Sequence, residues 1–235
     1  KGIIFPTLAK LAYEEALKQN YKIILGFPNS LSYRFCFEYL DWIKFSNIVE
    51  FNKNLECSDS ISESYLLEIE KCENFDFIEI LWKEYNQNYP SCISRISSFL
   101  KWRFQECPRT PFTNRPSFQY FPFLIKKNNE IKLFFVLKIY GNKCHIVDYF
   151  GNLESETIET MLLYSINFCK KNKLRSLNFW SNLDYDSPII DMGKKLDFTM
   201  NQTSSYFGIL PLCKTSNNII NKKNWFITMS DSDNF

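Results

Sequence analysis

The stretch KGIIFPTLAKLAYEEALKQNYKIILGFPNSLSYRFCFEYLDW, residues 1–42, sets out the unit around which the chain is organised. Residues 6–19 place Leu8, Leu11, Ala12 and Ala16 on one apolar stripe at helical spacing. Pro6 suits the first turn, where its missing N–H is no loss. Residues 21–27, YKIILGF, form a short apolar run bounded by turn residues, which fits a buried strand. Pro28-Asn29-Ser30 stops that strand, and Asn29 or Ser30 can cap the next helix, which presents Phe35, Tyr39 and Trp42 at helical spacing. Helix, buried strand, turn and helix make a crossover unit whose strand lies inside a sheet.

A comparable series recurs late in the chain. Residues 177–198 run strand, turn and helix and close on Leu196-Asp197-Phe198, 156 residues after Leu40-Asp41-Trp42. Little but the Leu-Asp pair is shared, so the repeat is one of element order. Residues 43–51 read as one strand completing the first unit, and the polar residues 52–74 as a connection with a short element near 65–69. Helices are expected over 75–85 and 91–104. Four prolines between 107 and 122 mark a loop. Strands at 118–126, 130–140 and 143–150 follow, joined by hairpin turns at Asn128-Asn129 and Gly141-Asn142. A helix at 155–171 buries Ile158, Met161, Leu162, Ile166 and Cys169; then come a strand (174–181), a helix (187–196) and two closing strands (202–212 and 224–230). The expected class is α/β with a mixed α+β sheet, divided into residues 1–73 and 74–235.

Composition narrows the function. The 235 residues are 45% hydrophobic and 17% aromatic, with 23 Phe and 13 Tyr, enough for one large or two small cores. A net charge of +2 gives no electrostatic case for a nucleic-acid partner. No run reaches membrane-spanning length and no signal peptide opens the chain. The eight cysteines include no C-x-x-C pair and read as reduced thiols of a cytoplasmic protein. With His145 the only histidine, no metal site is expected; it falls in an alternating run and reads as a structural strand residue. The chain opens on Lys1 rather than Met, which reads as a fragment or processed product.

Antiparallel strands, helix, strand, helix and two strands is also the succession of GNAT-type acyl-CoA N-acyltransferases. The chain resembles that family, in particular bacterial tandem-GNAT proteins associated with surface-polysaccharide assembly. The stretches that carry the resemblance are KGIIFPTLAKLAYEEA, GFPNSLSYRF with the terminal LDW, SFLKWRF and WFITMSDSDNF. It implies tandem GNAT-like domains, the first incomplete and the second complete, and acetyl-CoA or another acyl-CoA as co-substrate. The acceptor would be a small-molecule amine, such as an amino sugar. In the family a glycine-rich turn cradles the CoA pyrophosphate, and Lys1-Gly2-Ile3 looks like its tail; a chain end beside a helix is the alternative. The second copy carries Glu154, Glu156 and Glu159 where that turn would lie. Such acids complement a helix dipole but would repel a pyrophosphate. The second domain is therefore expected to hold the acceptor rather than the donor.

The family's proton donor is a tyrosine whose position here is Phe37, which leaves Tyr33 as the catalytic candidate, with Tyr39 behind it; ordinary packing is the alternative. Asn29 stands with Lys1, Gly2 and Ile3 as a cofactor-binding candidate. Arg95, Trp102 and Arg103 share one side of the expected 91–104 helix and either grip an anionic group or cover a core face. Trp180 and Asn182 end a strand, where open α/β sheets present ligands, and Trp180 either stacks on a sugar or fills the core. Asp231 and Asp233 would bind an amine or sugar hydroxyls, or belong to a solvated tail. A carbohydrate- or protein-binding module that kept the fold and lost the chemistry is the other functional reading. A peptidyl-transferase using charged transfer RNA would carry a basic arm, and none is seen.

Overall fold

A computed structural model describes residues 4–45, 48–55, 65–106, 118–183, 188–203, 206–213 and 221–232. Lys1, Gly2, Ile3 and Asp233 lie outside the described residues. The first unit is a helix α1 (Ile4–Lys18), strand β1 (Ile23–Gly26), helix α2 (Ser30–Arg34) continuing into a π-helical turn over Phe35–Tyr39, then strands β2 (Ile43–Phe45) and β3 (Ile48–Asn54). A short strand β4 (Glu68–Lys71) and helices α3 (Ile78–Tyr85) and α4 (Ser97–Lys101) come next. The meander is β5 (Phe118–Lys127), β6 (Glu130–Tyr140) and β7 (Lys143–Gly151), antiparallel as their turn residues predict. The second unit is α5 (Ser155–Lys171), β8 (Ser176–Asn182), α6 (Pro188–Lys195), β9 (Thr199–Gln202) and β10 (Phe207–Pro211).

The strands form two sheets, ordered β1-β10-β2 and β4-β5-β6-β7-β8-β3-β9. These orders reveal a reciprocal exchange. The series β1-α2-β2-β3 recurs as β8-α6-β9-β10, yet each closing strand leaves its own copy. β3 is inserted antiparallel between β8 and β9, and β10 antiparallel between β1 and β2. Residues 43–51, expected as one strand, are therefore two strands in different sheets.

Ring volumes account for which strand goes where. In the first copy β10 lays Gly208 beside Gly26 of β1, and Phe37 with Trp42 fills the space above them. A Cβ at Gly208 would lie 2.8 Å from the Phe37 ring and 3.0 Å from Trp42. The second copy inverts the arrangement: β3 brings Phe51, stacked on Phe179 of β8 at 4.7 Å, and the helix above carries Gly193. A Cβ there would lie 2.9 Å from Phe51. Returning each strand to its own copy would set Phe51 under Phe37 and Gly208 under Gly193, one contact overfilled and the other hollow.

The recurring Leu-Asp-aromatic is a helix stop. Asp41 and Asp197 both adopt left-handed backbone, φ 56° and 57°, a conformation Asp tolerates better than most residues. The Trp42 N–H then donates to the Cys36 carbonyl at 3.1 Å, and the Phe198 N–H to that of Gly193 at 2.9 Å. Both aromatic rings turn back onto the sheets that the exchanged strands complete.

The large sheet has two covered faces. α5 lies on one, where Phe123, Phe135 and Cys144 meet Tyr164, Phe168 and Cys169. α3 lies on the other, with Trp82 against Phe150, while Phe75 meets Phe134. Two sequence expectations fail on this second face. Residues 92–96 are not helical: α4 covers only Ser97–Lys101 before a π-helical turn, because Ser91 bridges to Trp225 and Arg95 turns into the core. Residues 224–230 are not a strand either. Beyond that bridge they run to a turn at Met229–Asp231, closed by a capping box between Thr228 and Asp231.

Candidate functional site

β7 and β8 run parallel and pair from Lys143↔Ser176 to Ile146↔Phe179. Next comes a bulge at Val147, since Leu137 faces Ile146 and Val136 faces Asp148. Bulges bend a strand and re-aim its side chains. Beyond it β7 reaches Gly151 and β8 reaches Asn182 without pairing to each other. The open end of this wedge is filled by the chain itself. Asn182 Nδ2 donates to the carbonyls of Lys222 and Trp225, both at 2.9 Å, holding the 221–232 segment from the β8 side. From the β7 side, Thr228 Oγ1 donates to Asp148 at 2.9 Å. Arg95, 0% exposed, ties the two together: Nη2 lies 3.2 Å from Asp148, 3.0 Å from Thr228 and 2.7 Å from Asp231. Burial works against charge on Arg95, but Asp148 and Asp231 outweigh it and hold the guanidinium protonated. For Asp231, burial and then Asp148 raise the carboxyl above its usual range against the pull of Arg95.

The first copy presents the opposite picture. Among the described residues β1 pairs with β10 on one side only and is an edge of its sheet. α1 has no buried residue: Phe5 meets the Phe35 ring at 5.7 Å and the Tyr13 hydroxyl accepts from Trp42 Nε1 at 2.9 Å, while Ile4, Phe5, Leu8, Leu11 and Leu17 are exposed. Its counterpart α5 buries Ile158, Met161, Leu162, Ile166 and Cys169. Asn29 caps α2, its Oδ1 accepting from Leu31 N–H at 3.0 Å and Ser32 N–H at 3.1 Å. The Tyr33 hydroxyl accepts from Lys44 Nζ at 3.1 Å, and Lys44 sits 4.8 Å from the ring centres of both Tyr33 and Tyr206. Tyr206, just before β10, thus reaches the first copy's site through the strand exchange.

No protein-family model matches the sequence, and no curated protein matches it. Solved structures do match in shape. A GCN5-related N-acetyltransferase from Anabaena variabilis ATCC 29413 aligns with TM-score 0.59 at 12% identity, over 88% of this chain and 50% of its own. A probable N-acyltransferase from Enterococcus faecalis V583 gives 0.58 at 11% identity, over 90% and 51%. A tandem GNAT protein from the clavulanic acid biosynthesis pathway gives 0.51 at 10%, over 89% and 70%. This chain has the GNAT fold. It spans about half the length of the first two of these structures.

In the GNAT fold described here, the sequence candidates do not converge on one open site. Arg95 and Asp231 meet, but inside the filled wedge. Arg103, also buried, donates to the Ser232 carbonyl at 2.7 Å and anchors the same segment. Trp102 is 51% exposed and touches Phe99. Trp180 is 2% exposed and lies under Phe27, 5.9 Å between ring centres, where the two copies meet. Asn182 is buried and spends its amide on the 221–232 backbone. Of the α5 acids, Glu156 is paired with Lys127 and Glu159 with Lys195 at 2.9 Å. Sequence reasoning passed over Asp148, Lys44 and Tyr206, which read as ordinary strand or flanking residues; only their distant partners distinguish them. Among the described residues no group of three or more His, Cys, Asp or Glu could hold a metal, and no helix is long and apolar enough to cross a membrane.

Proposed function

We propose that the chain is part of an N-acyltransferase that moves an acyl group from acetyl-CoA or another acyl-CoA to the amino group of a small molecule. The single observation behind this reading is the asymmetry of the two copies. The second copy's wedge, where the GNAT resemblance would seat a thioester, is closed by residues 221–232 and does not fit the donor. The first copy offers a β1 edge unpaired among the described residues and a helix whose leucines are exposed. By analogy with β7 and α5, these suit a parallel strand and meander supplied from a segment N-terminal to α1, and the donor site would be completed there. In this reading the second copy holds the acceptor, with an amino sugar of surface-polysaccharide assembly as the proposed class and a bacterial cytoplasm as the proposed setting. The domain division is proposed at 73/74 in chain order, with β3 and β10 crossing it.

Tyr33 is the proposed proton donor: its oxygen accepts from Lys44, so its own proton remains available. Thiol release from acetyl-CoA, followed with an amino-sugar panel on a protein extended through the N-terminal segment, tests the reading. Tyr33→Phe is expected to lower turnover roughly 100-fold or more. Turnover unchanged in that variant removes Tyr33, and no thiol release with any amine removes the enzyme reading. Phe37 favours a second reading, a binding module without chemistry, because its ring is packed over Gly208 where the family donates a proton.

A further inference from the structure

On the face of the large sheet away from α5, three acceptor-bearing side chains stand together on β3 and β8. Asn52 of β3 is the direct cross-strand partner of Asn178 of β8, so their side chains stand side by side, about 5 Å apart at Cβ. Glu50, two residues before Asn52 on the same face, accepts a 2.5 Å hydrogen bond from Asn178 Nδ2. Asn178 is 4% exposed, and among the described residues its Oδ1 has no hydrogen-bond partner. The Oδ1 of Asn52 is likewise buried without a partner. A buried acceptor left unmade costs about 1–3 kcal/mol, and here two stand together beside a carboxylate. Glu50 and Asn52 are half-buried, so the group borders solvent, with the edge strand β9 exposed next to it.

We propose that Glu50, Asn52 and Asn178 form a binding site for a primary ammonium group. An ammonium carries three N–H donors and no acceptor, one for each of the three oxygens, and its charge is matched by the single carboxylate. A neutral hydroxyl would satisfy at most one orphaned oxygen and leave the other unmade. The site exists only because β3 has crossed into the second copy's sheet: two of its residues come from the first unit and one from the second. It rests on the acyl-transfer reading for its purpose, supplying the amine of the acceptor, but not for its existence.

Binding is measured on the full chain without any acyl-CoA, so its outcome is independent of the thiol-release assay. The side-chain amide NMR signals of Asn52 and Asn178 are followed during titration with methylammonium chloride, with tetramethylammonium and calcium chloride as controls. Saturable shifts with methylammonium alone are expected. Glu50→Gln should weaken them at least tenfold, and Asn52→Asp, which adds a second carboxylate, should tighten binding. Equal shifts with tetramethylammonium, a preference for calcium, or indifference to both substitutions would overturn the proposal.

Discussion

Replacing Arg95 with methionine is expected to cost about 3–5 kcal/mol of stability at neutral pH, the largest effect of any single substitution considered. The substitution keeps most of the volume but removes the cation that, among the described residues, pairs with both Asp148 and Asp231. Two carboxylates would then share a dry pocket without a counter-charge, and the 221–232 segment would lose its main tie to β7. Urea unfolding measures the loss. Neutralising both partners as well, in Arg95→Met with Asp148→Asn and Asp231→Asn, should recover a large part of it, because the penalty arises from the orphaned charges rather than from missing packing. A loss below about 1 kcal/mol would mean that the cluster is wet and the wedge open.

The second large effect is a pH dependence carried by His145. Burial, followed by Lys138 and Lys143, lowers its pKa from the ordinary 6.5 to about 4. The sign follows from proton counting. Between those values the unfolded chain binds a proton that the folded chain refuses, so stability is full above pH 6.5 and falls as the pH drops towards 4. From about pH 7.5 to pH 4.5 this single group removes about 2.5 kcal/mol. Carboxylates held low by lysines, such as Asp76 beside Lys101 and Glu130 beside Lys132, drive the same trend, so the test is a difference. His145→Gln should lose about 2.5 kcal/mol less than the unaltered chain over that interval. Parallel pH profiles for the two proteins would show that His145 titrates normally.

Much of the fold was legible because local physics dictates it. The apolar runs and turn residues of 118–150 fix a meander, and the Leu-Asp-aromatic endings mark two helix stops whose Asp residues take left-handed backbone. The destination of β3 and β10 was not legible. Period and propensity make 43–51 and 202–212 strands, but the choice of sheet is set by Phe51, Phe179, Gly193 and Gly208, whose volumes matter only once packed. The site suffered from the same limit. A helical wheel grouped Arg95 with Trp102 and Arg103, whereas the backbone at 92–96 is not helical and sends Arg95 to partners 53 and 133 residues away. Glu50 looked like one more strand residue because Asn178 is 128 residues distant. Of the two cap candidates, Asn29 and Ser30, it is Asn29 that caps α2, and this occupies the oxygen that a ligand would need.

A fragment beginning at residue 74 would lack β3 and leave β8 paired on its β7 side alone, so the decisive measurement uses the whole chain. Acetyl-CoA is titrated to millimolar concentration while backbone amide NMR signals are recorded. With the second wedge closed by residues 221–232, signals from residues 147–157 and 176–182 should stay in place. Saturable shifts there at micromolar acetyl-CoA, with release of the 221–232 segment, would contradict the assignment of the donor to the first copy.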